Sequence, residues 1–162
     1  MLDFFQTSQS VPFPVERVFR FFADPKNLPR ISPPESRARI VRLELAGPRH
    51  HPDLAGAGTL IQISVRLLPP LPFRGRWVAR IVDFEYGKCF RDVQVRGPFK
   101  RWEHLHWFEE KGATTLVRDI VQYEVGWGAL GDAVNAMFVR RALEKMFEYR
   151  KQATERLLSA QG

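Results

Sequence analysis

Six runs of strand-forming sequence, each closed by turn chemistry, lead into a segment, 129–160, that contains no proline. The runs are 36–46, 58–68, 74–86, 88–96, 100–110 and 113–125. The breaks are Gly47-Pro48, Gly56, Pro69-Pro70, Gly87-Lys88, Gly97-Pro98 and Lys111-Gly112. Connections this short join antiparallel neighbours, because a parallel pair needs a crossover of a dozen or more residues. In the terminal segment Ala136, Val139, Leu143, Met146, Phe147, Ala153 and Leu157 follow helical spacing. Leu130, Val134, Met137 and Phe138 widen that stripe at its front. At 1.5 Å per residue the helix would be ~45 Å long. Only the concave face of a curved sheet can cover an apolar stripe of that length.

The first residues complete the order of elements. Residues 3–10 alternate weakly and read as a strand. Pro14–Asp24 reads as a short amphipathic helix, with Pro14 acceptable in its first turn and Val15, Val18, Phe19 and Phe22 on its apolar side. Asp24-Pro25 ends it and starts a second short helix, 25–31, which Pro33-Pro34 stops. There is no internal repeat, low-complexity tract or linker. The expectation is one α+β domain over 1–162.

The segment Arg101–Glu110 carries the most chemistry. It alternates as a strand, so Trp102, His104, His106 and Phe108 share one face while Glu103, Leu105, Trp107 and Glu109 share the other. Two imidazoles between two aromatic rings suit one wall of a lined cavity better than ordinary core.

Composition removes several classes of function. No apolar run approaches the ~20 residues that span a bilayer, and the N-terminus shows no secretory pattern. A cytoplasmic protein is expected. The single cysteine, Cys89, excludes an intramolecular disulfide and a cysteine-cluster metal site. It reads as a quiet, partly buried thiol. The formal charge of +7 comes from residues scattered along the chain, so a solvated basic surface is expected and no nucleic-acid partner. No phosphate-binding glycine loop, dinucleotide fingerprint or serine–histidine–aspartate order is present. His50-His51, in a Gly/Pro-rich loop beside Asp53, reads as solvated loop.

The element order, with Val11–Phe19, Phe90–Gln94, Gly97-Pro98-Phe99, Trp102–Phe108 and Asp119–Tyr123, resembles the START/birch-pollen-allergen-like (SRPBCC) superfamily. Within it, the chain is most similar to the small bacterial ligand-binding branch labelled cyclase/dehydrase-like. The resemblance covers essentially the whole chain. It implies a helix-grip fold, a seven-stranded curved antiparallel sheet wrapped around a long C-terminal helix, with two short helices after the first strand. It also implies an internal cavity between sheet and helix.

If Trp102, His104, His106 and Phe108 face that cavity, alternation brings matching sets from neighbouring strands. These are Phe90, Asp92 and Gln94; Val117, Asp119, Val121 and Tyr123; and Trp77, Ala79 and Ile81. A slip of one residue would reverse every face. The ligand-binding residues expected are Trp77, Asp92, Gln94, Trp102, His104, His106, Phe108, Val121, Tyr123 and Met137. Three readings of the polar members stay open. They are a hydrogen-bond network bracing the sheet, a polar anchor for an apolar ligand, and acid–base catalysis with His104, His106 and Asp119 as candidates. A histidine pair with a carboxylate could also hold zinc or iron, but spacing assures no third ligand, so neither a metal nor a cofactor is expected.

The leading expectation is binding or carriage of a hydrophobic lipid, isoprenoid or aromatic polyketide-like molecule. The alternative is an aromatase/cyclase- or dehydratase-type enzyme using the cavity histidines. The apolar loop Leu67–Phe73 suits a lid or a transient membrane contact. Gly126-Trp127-Gly128 reads as a hinge into the long helix. Oligomeric state is not legible.

Overall fold

The strands form where alternation and tight turns demand them. A computed structural model of the chain describes residues 1–66, 74–126, 128, 133 and 135–160. Strand β1 (Asp3–Val11) precedes helix α1 (Val15–Ala23) and two single 3-10 turns, Pro25–Asn27 and Pro34–Ser36. Strands β2 (Arg39–Glu44), β3 (Leu60–Arg66), β4 (Arg74–Glu85), β5 (Cys89–Arg96), β6 (Arg101–Lys111) and β7 (Thr114–Glu124) follow. A π-turn, Asn135–Val139, leads into helix α2 (Arg140–Ser159). The expected second helix over 25–31 shortens to a 3-10 turn capped by the Asp24 side chain. The loop Leu67–Phe73 and the front of the expected terminal helix, 129–132 and 134, lie outside the described residues.

The seven strands make one antiparallel sheet in the order β1-β7-β6-β5-β4-β3-β2, a meander whose last strand pairs with the first. Its inner face shows the expected alternation. Trp102, His104, His106 and Phe108 are buried on β6, and Thr115, Val117, Asp119, Val121 and Tyr123 on β7. On β4 a bulge between Ile81 and Asp83 shifts the alternation by one residue and turns Phe84 toward the core. At the β5–β6 turn the Gln94 amide donates to the Phe99 carbonyl and accepts from the Phe99 N–H. A Cβ on Gly97 would meet Gln94 Oε1 at 2.2 Å, so any larger residue there would push the Gln94 amide off the turn.

Helix α1 is buried on more sides than its sequence suggests. Val18 and Phe19 face the sheet as expected, but Phe21 is also buried. The loop after β2 wraps the helix, with Ala55 N–H donating to the Ala23 carbonyl, and Asn27 Nδ2 donates to the Phe21 carbonyl. Helix α2 buries Leu143, Phe147, Arg150, Ala153, Thr154 and Leu158. The positions 143, 147, 150, 154 and 158 repeat at helical spacing, so the charged Arg150 sits on the apolar stripe. No helix among the described residues is long and apolar enough to cross a membrane.

Aromatic packing divides the core into two clusters. Phe19, Phe90 and Phe108 anchor one. Phe5, Trp102, Val121, Tyr123, Leu143 and Phe147 form the other, with Trp77 and Phe99 packed against it.

Candidate ligand-binding site

Between the two aromatic clusters the inner face turns polar. Register brings the polar residues together: Asp92 on β5 lies opposite His104 on β6, and His106 lies opposite Asp119 on β7. Each imidazole therefore faces both carboxylates. His104 Nε2 donates to Asp119 Oδ1 at 2.8 Å, and His104 Nδ1 stands 3.7 Å from Asp92 Oδ2. His106 Nε2 donates to Asp92 Oδ2 at 3.3 Å. His106 Nδ1 lies 3.0 Å from Asp119 Oδ1 but is turned off the line of a hydrogen bond and finds no partner. The two rings are 3.8 Å apart. Phe90 stacks on His106 at 4.2 Å, and Phe147 meets His104 edge-on at 5.5 Å.

Sequence reasoning missed one member of this site. Arg150 of α2 is buried beside Phe147, and its charge couples to Asp119 and Asp92. Its Nε has no hydrogen-bond partner. The signal was available, because a charge on the apolar stripe of a helix needs a buried counter-charge.

Burial and pairing set the protonation of the group. Burial alone would raise the Asp119 carboxyl, but the hydrogen bond from His104 and the close approach of His106 outweigh it and hold the group well below the ordinary carboxylate range. Asp92 is lowered in the same way, with His106, His104 and Arg150 overcoming burial. For His104, burial and the neighbouring His106 win, and its pKa falls. Burial would also depress His106, but Asp119 and Asp92 together raise it. The two depressed carboxylates are thus offset by Arg150 and by His106, the imidazole that holds its proton more tightly, while His104 releases its proton more readily.

These directions determine how stability depends on pH. The depressed Asp92 and Asp119 stabilise the fold above their ordinary value of 3.8 and lose that contribution as acid titrates them. Depressed His104 adds a loss that begins as pH falls through 6.5. The raised His106 stabilises fully below 6.5 and loses its contribution as pH rises through its higher folded pKa. The urea midpoint of the wild type is therefore expected to converge on that of His106→Gln above neutrality. A gap between the two that stays constant from about pH 5 to about pH 9 would contradict this assignment.

The remaining expected ligand contacts fall in different places. Trp77 packs edge-on against Trp102 at 4.9 Å, and Val121 and Tyr123 are buried in the same cluster. Phe108 belongs to the α1 side, 5.2 Å from Phe19. Gln94 is half-buried and committed to the Phe99 backbone. Met137 does not join them: it stands 58% exposed in the π-turn, which rotates the stripe away from the sheet before α2 begins. His51 is not simple solvated loop, because it stacks on Tyr86 at 4.2 Å and meets Arg20 at 3.0 Å. Cys89 is half-buried, and burial raises its thiol pKa, which keeps it protonated at neutral pH.

Clefts open on the described surface. One of about 260 Å³ lies between α1 and the loop around Asp53, and one of about 330 Å³ lies between β1 and α2. Neither is lined by Asp92, His104, His106 or Asp119. The second has Phe5 and Phe147 in its wall, and Phe147 is the ring that covers His104.

Solved structures share this architecture. An aromatase/cyclase, Zhui, from Streptomyces sp. R1128 superimposes with a TM-score of 0.73 at 13% identity, over 98% of this chain and 94% of that one. A START superfamily protein from Mycobacterium smegmatis gives 0.72 at 14% identity over 98% and 99%. TTHA0849 from Thermus thermophilus gives 0.70 at 20% identity over 99% of both chains. Identities this low establish the fold alone, the helix-grip architecture. No curated protein sequence matches the chain. Residues 11–148 match a sequence family described as polyketide cyclase / dehydrase and lipid transport, and the chain belongs to that family.

Proposed function

We propose that the protein binds a hydrophobic small molecule, of the lipid, isoprenoid or aromatic polyketide class, and holds its polar end at the Asp92–His104–His106–Asp119 cluster. The observation that carries this reading is a buried ionic group continuous with aromatic walls on both sides. Such a group is costly in a core that only needs to be stable, and it matches a site that orients a largely apolar ligand. The family description, which includes lipid transport, supports the same class. The cleft between β1 and α2 supplies the approach, with the Phe147 side chain turning aside to admit the ligand to His104.

Native mass spectrometry of the gently purified protein, with solvent extraction, tests the proposal. A co-purifying apolar molecule, or saturable one-to-one binding of a fatty acid, isoprenoid or polyketide probe, is expected. A bare polypeptide that binds none of the three would overturn it.

A second reading is favoured by the opposed histidines. One imidazole with its pKa lowered and one with its pKa raised, their rings 3.8 Å apart, form a base and an acid for cyclisation or dehydration of a polyketide chain. His104 would take a proton from carbon while His106 protonates the departing oxygen. On this reading His104→Ala or His106→Ala lowers turnover about 10²–10⁴-fold while binding stays largely intact. Loss of binding in both variants, with no turnover by the wild type, would remove it.

A further inference from the structure

A carboxylate only accepts hydrogen bonds, so the 2.8 Å contact with Asp119 places the His104 proton on Nε2. The other ring nitrogen, Nδ1, is turned toward Asp92 Oδ2, 3.7 Å away. That separation is longer than a hydrogen bond. His106 Nε2 stands 3.3 Å from the same Asp92 oxygen. One donor atom from each of the three residues lies within 4.8 Å of the others.

We infer that Asp92, His104 and His106 form a binding site for one divalent ion of the zinc class, oriented by Asp119. Ligands about 2.0–2.1 Å from a tetrahedral zinc stand about 3.3 Å apart; the two histidine nitrogens stand 3.3 and 3.7 Å from Asp92 Oδ2, and with all three donors within 4.8 Å of one another a small inward movement of the imidazoles brings the set onto an ion. Two imidazoles and a carboxylate are the donors that zinc and its neighbours select, whereas magnesium and calcium require oxygen. The outer nitrogens complete the pattern. His104 Nε2 bonds to Asp119 Oδ1 at 2.8 Å, and His106 Nδ1 lies 3.0 Å from the same oxygen. A carboxylate behind each ligating histidine is the usual second layer of a zinc site. It would also give the buried, unpartnered His106 Nδ1 its acceptor after a small ring rotation.

Arg150 opposes the ion and also indicates what completes it. With both histidines neutral as ligands, the ion and the guanidinium exceed the two carboxylates by one positive charge. The open coordination position therefore favours an anionic oxygen, such as an enolate, phenolate or carboxylate at the polar end of the bound molecule. This last step rests on the ligand-binding reading above; the metal site itself does not.

The test is titration of metal-stripped, full-length protein with Co²⁺, followed by visible absorption and then by displacement with Zn²⁺. One equivalent is expected to give the intense bands of a four- or five-coordinate site, abolished by Zn²⁺. Asp92→Asn and His106→Gln should lose the bands while circular dichroism shows the fold retained. Asp119→Asn should weaken binding about 10–100-fold, and replacing His50 and His51 by alanine should change nothing. The inference is overturned if the folded protein shows no saturable one-equivalent band. It is equally overturned if the band survives in the Asp92→Asn/His106→Gln double variant or vanishes with His50 and His51. Binding of an apolar probe is measured on the same metal-stripped sample. Probe binding without a cobalt band rejects the metal and keeps the ligand reading, and the reverse result rejects the ligand reading alone.

Discussion

Asp119→Ala is expected to cost the metal-free protein about 3–5 kcal/mol at neutral pH, the range for breaking one side of a buried ionic group. Asp119 accepts from His104 and lies within ion-pair distance of His106, and it ranks first among the charges that stabilise Arg150. Its removal leaves the buried Arg150 guanidinium, among the charges that face it, with Asp92, which is itself 15% exposed, as counter-charge. A small domain has about 5–15 kcal/mol in total, so the variant should unfold at much lower urea. Asp119→Asn keeps the volume and removes the charge, and should show most of the same loss. If Asp119→Asn loses under about 1 kcal/mol, the cluster is not held by charge. Conversion of the cluster and Arg150 together to apolar residues of similar volume should restore stability while abolishing ligand binding, because uncharged packing needs no counter-ion.

Phe19→Ala is expected to have an effect of similar size for a different reason. Phe19 is completely buried where α1 meets the sheet, and its ring contacts Phe84, Tyr86, Phe90 and Phe108 at centroid distances of 5.2–5.9 Å. Truncation of a buried phenylalanine costs about 3–5 kcal/mol through lost transfer energy and the cavity left behind. Phe4→Ala, on the outer face and 57% exposed, should change stability by no more than about 0.5 kcal/mol. Urea unfolding of the two variants side by side checks the pair. Equal effects would mean that α1 is not anchored through Phe19. The effect should also reach the site, since Phe90 contacts Phe19 on one side and stacks on His106 on the other.

Much of this arrangement was legible before any coordinates. Side chains on a strand alternate by covalent geometry, so Trp102, His104, His106 and Phe108 had to share a face, as did Asp119, Val121 and Tyr123. The turn residues made the strands antiparallel neighbours in chain order. The β4 alternation held through Ile81 and then broke at a bulge, which no spacing rule marks. A continuous helical period through 135–139 would set Met137 on the apolar stripe, but the chain forms a π-turn there and Met137 is exposed. Gln94 was placed on the correct strand, but its amide serves the adjacent turn, a local competition that alternation does not register.

What the sequence determined by itself is the set of local preferences: strand faces, turn positions, the amphipathic stripe of α2 and the pairing of acids with imidazoles on one wall. Only the tertiary structure decided that each histidine touches both aspartates, that Arg150 enters from the helix, and that Phe147 and Phe90 close over the rings. The reason is physical. Alternation is a property of the chain, fixed within two or three residues. Cross-strand register and the rotation of a helix against a sheet are instead set by packing summed over the whole core, where a shift of one residue reverses every contact.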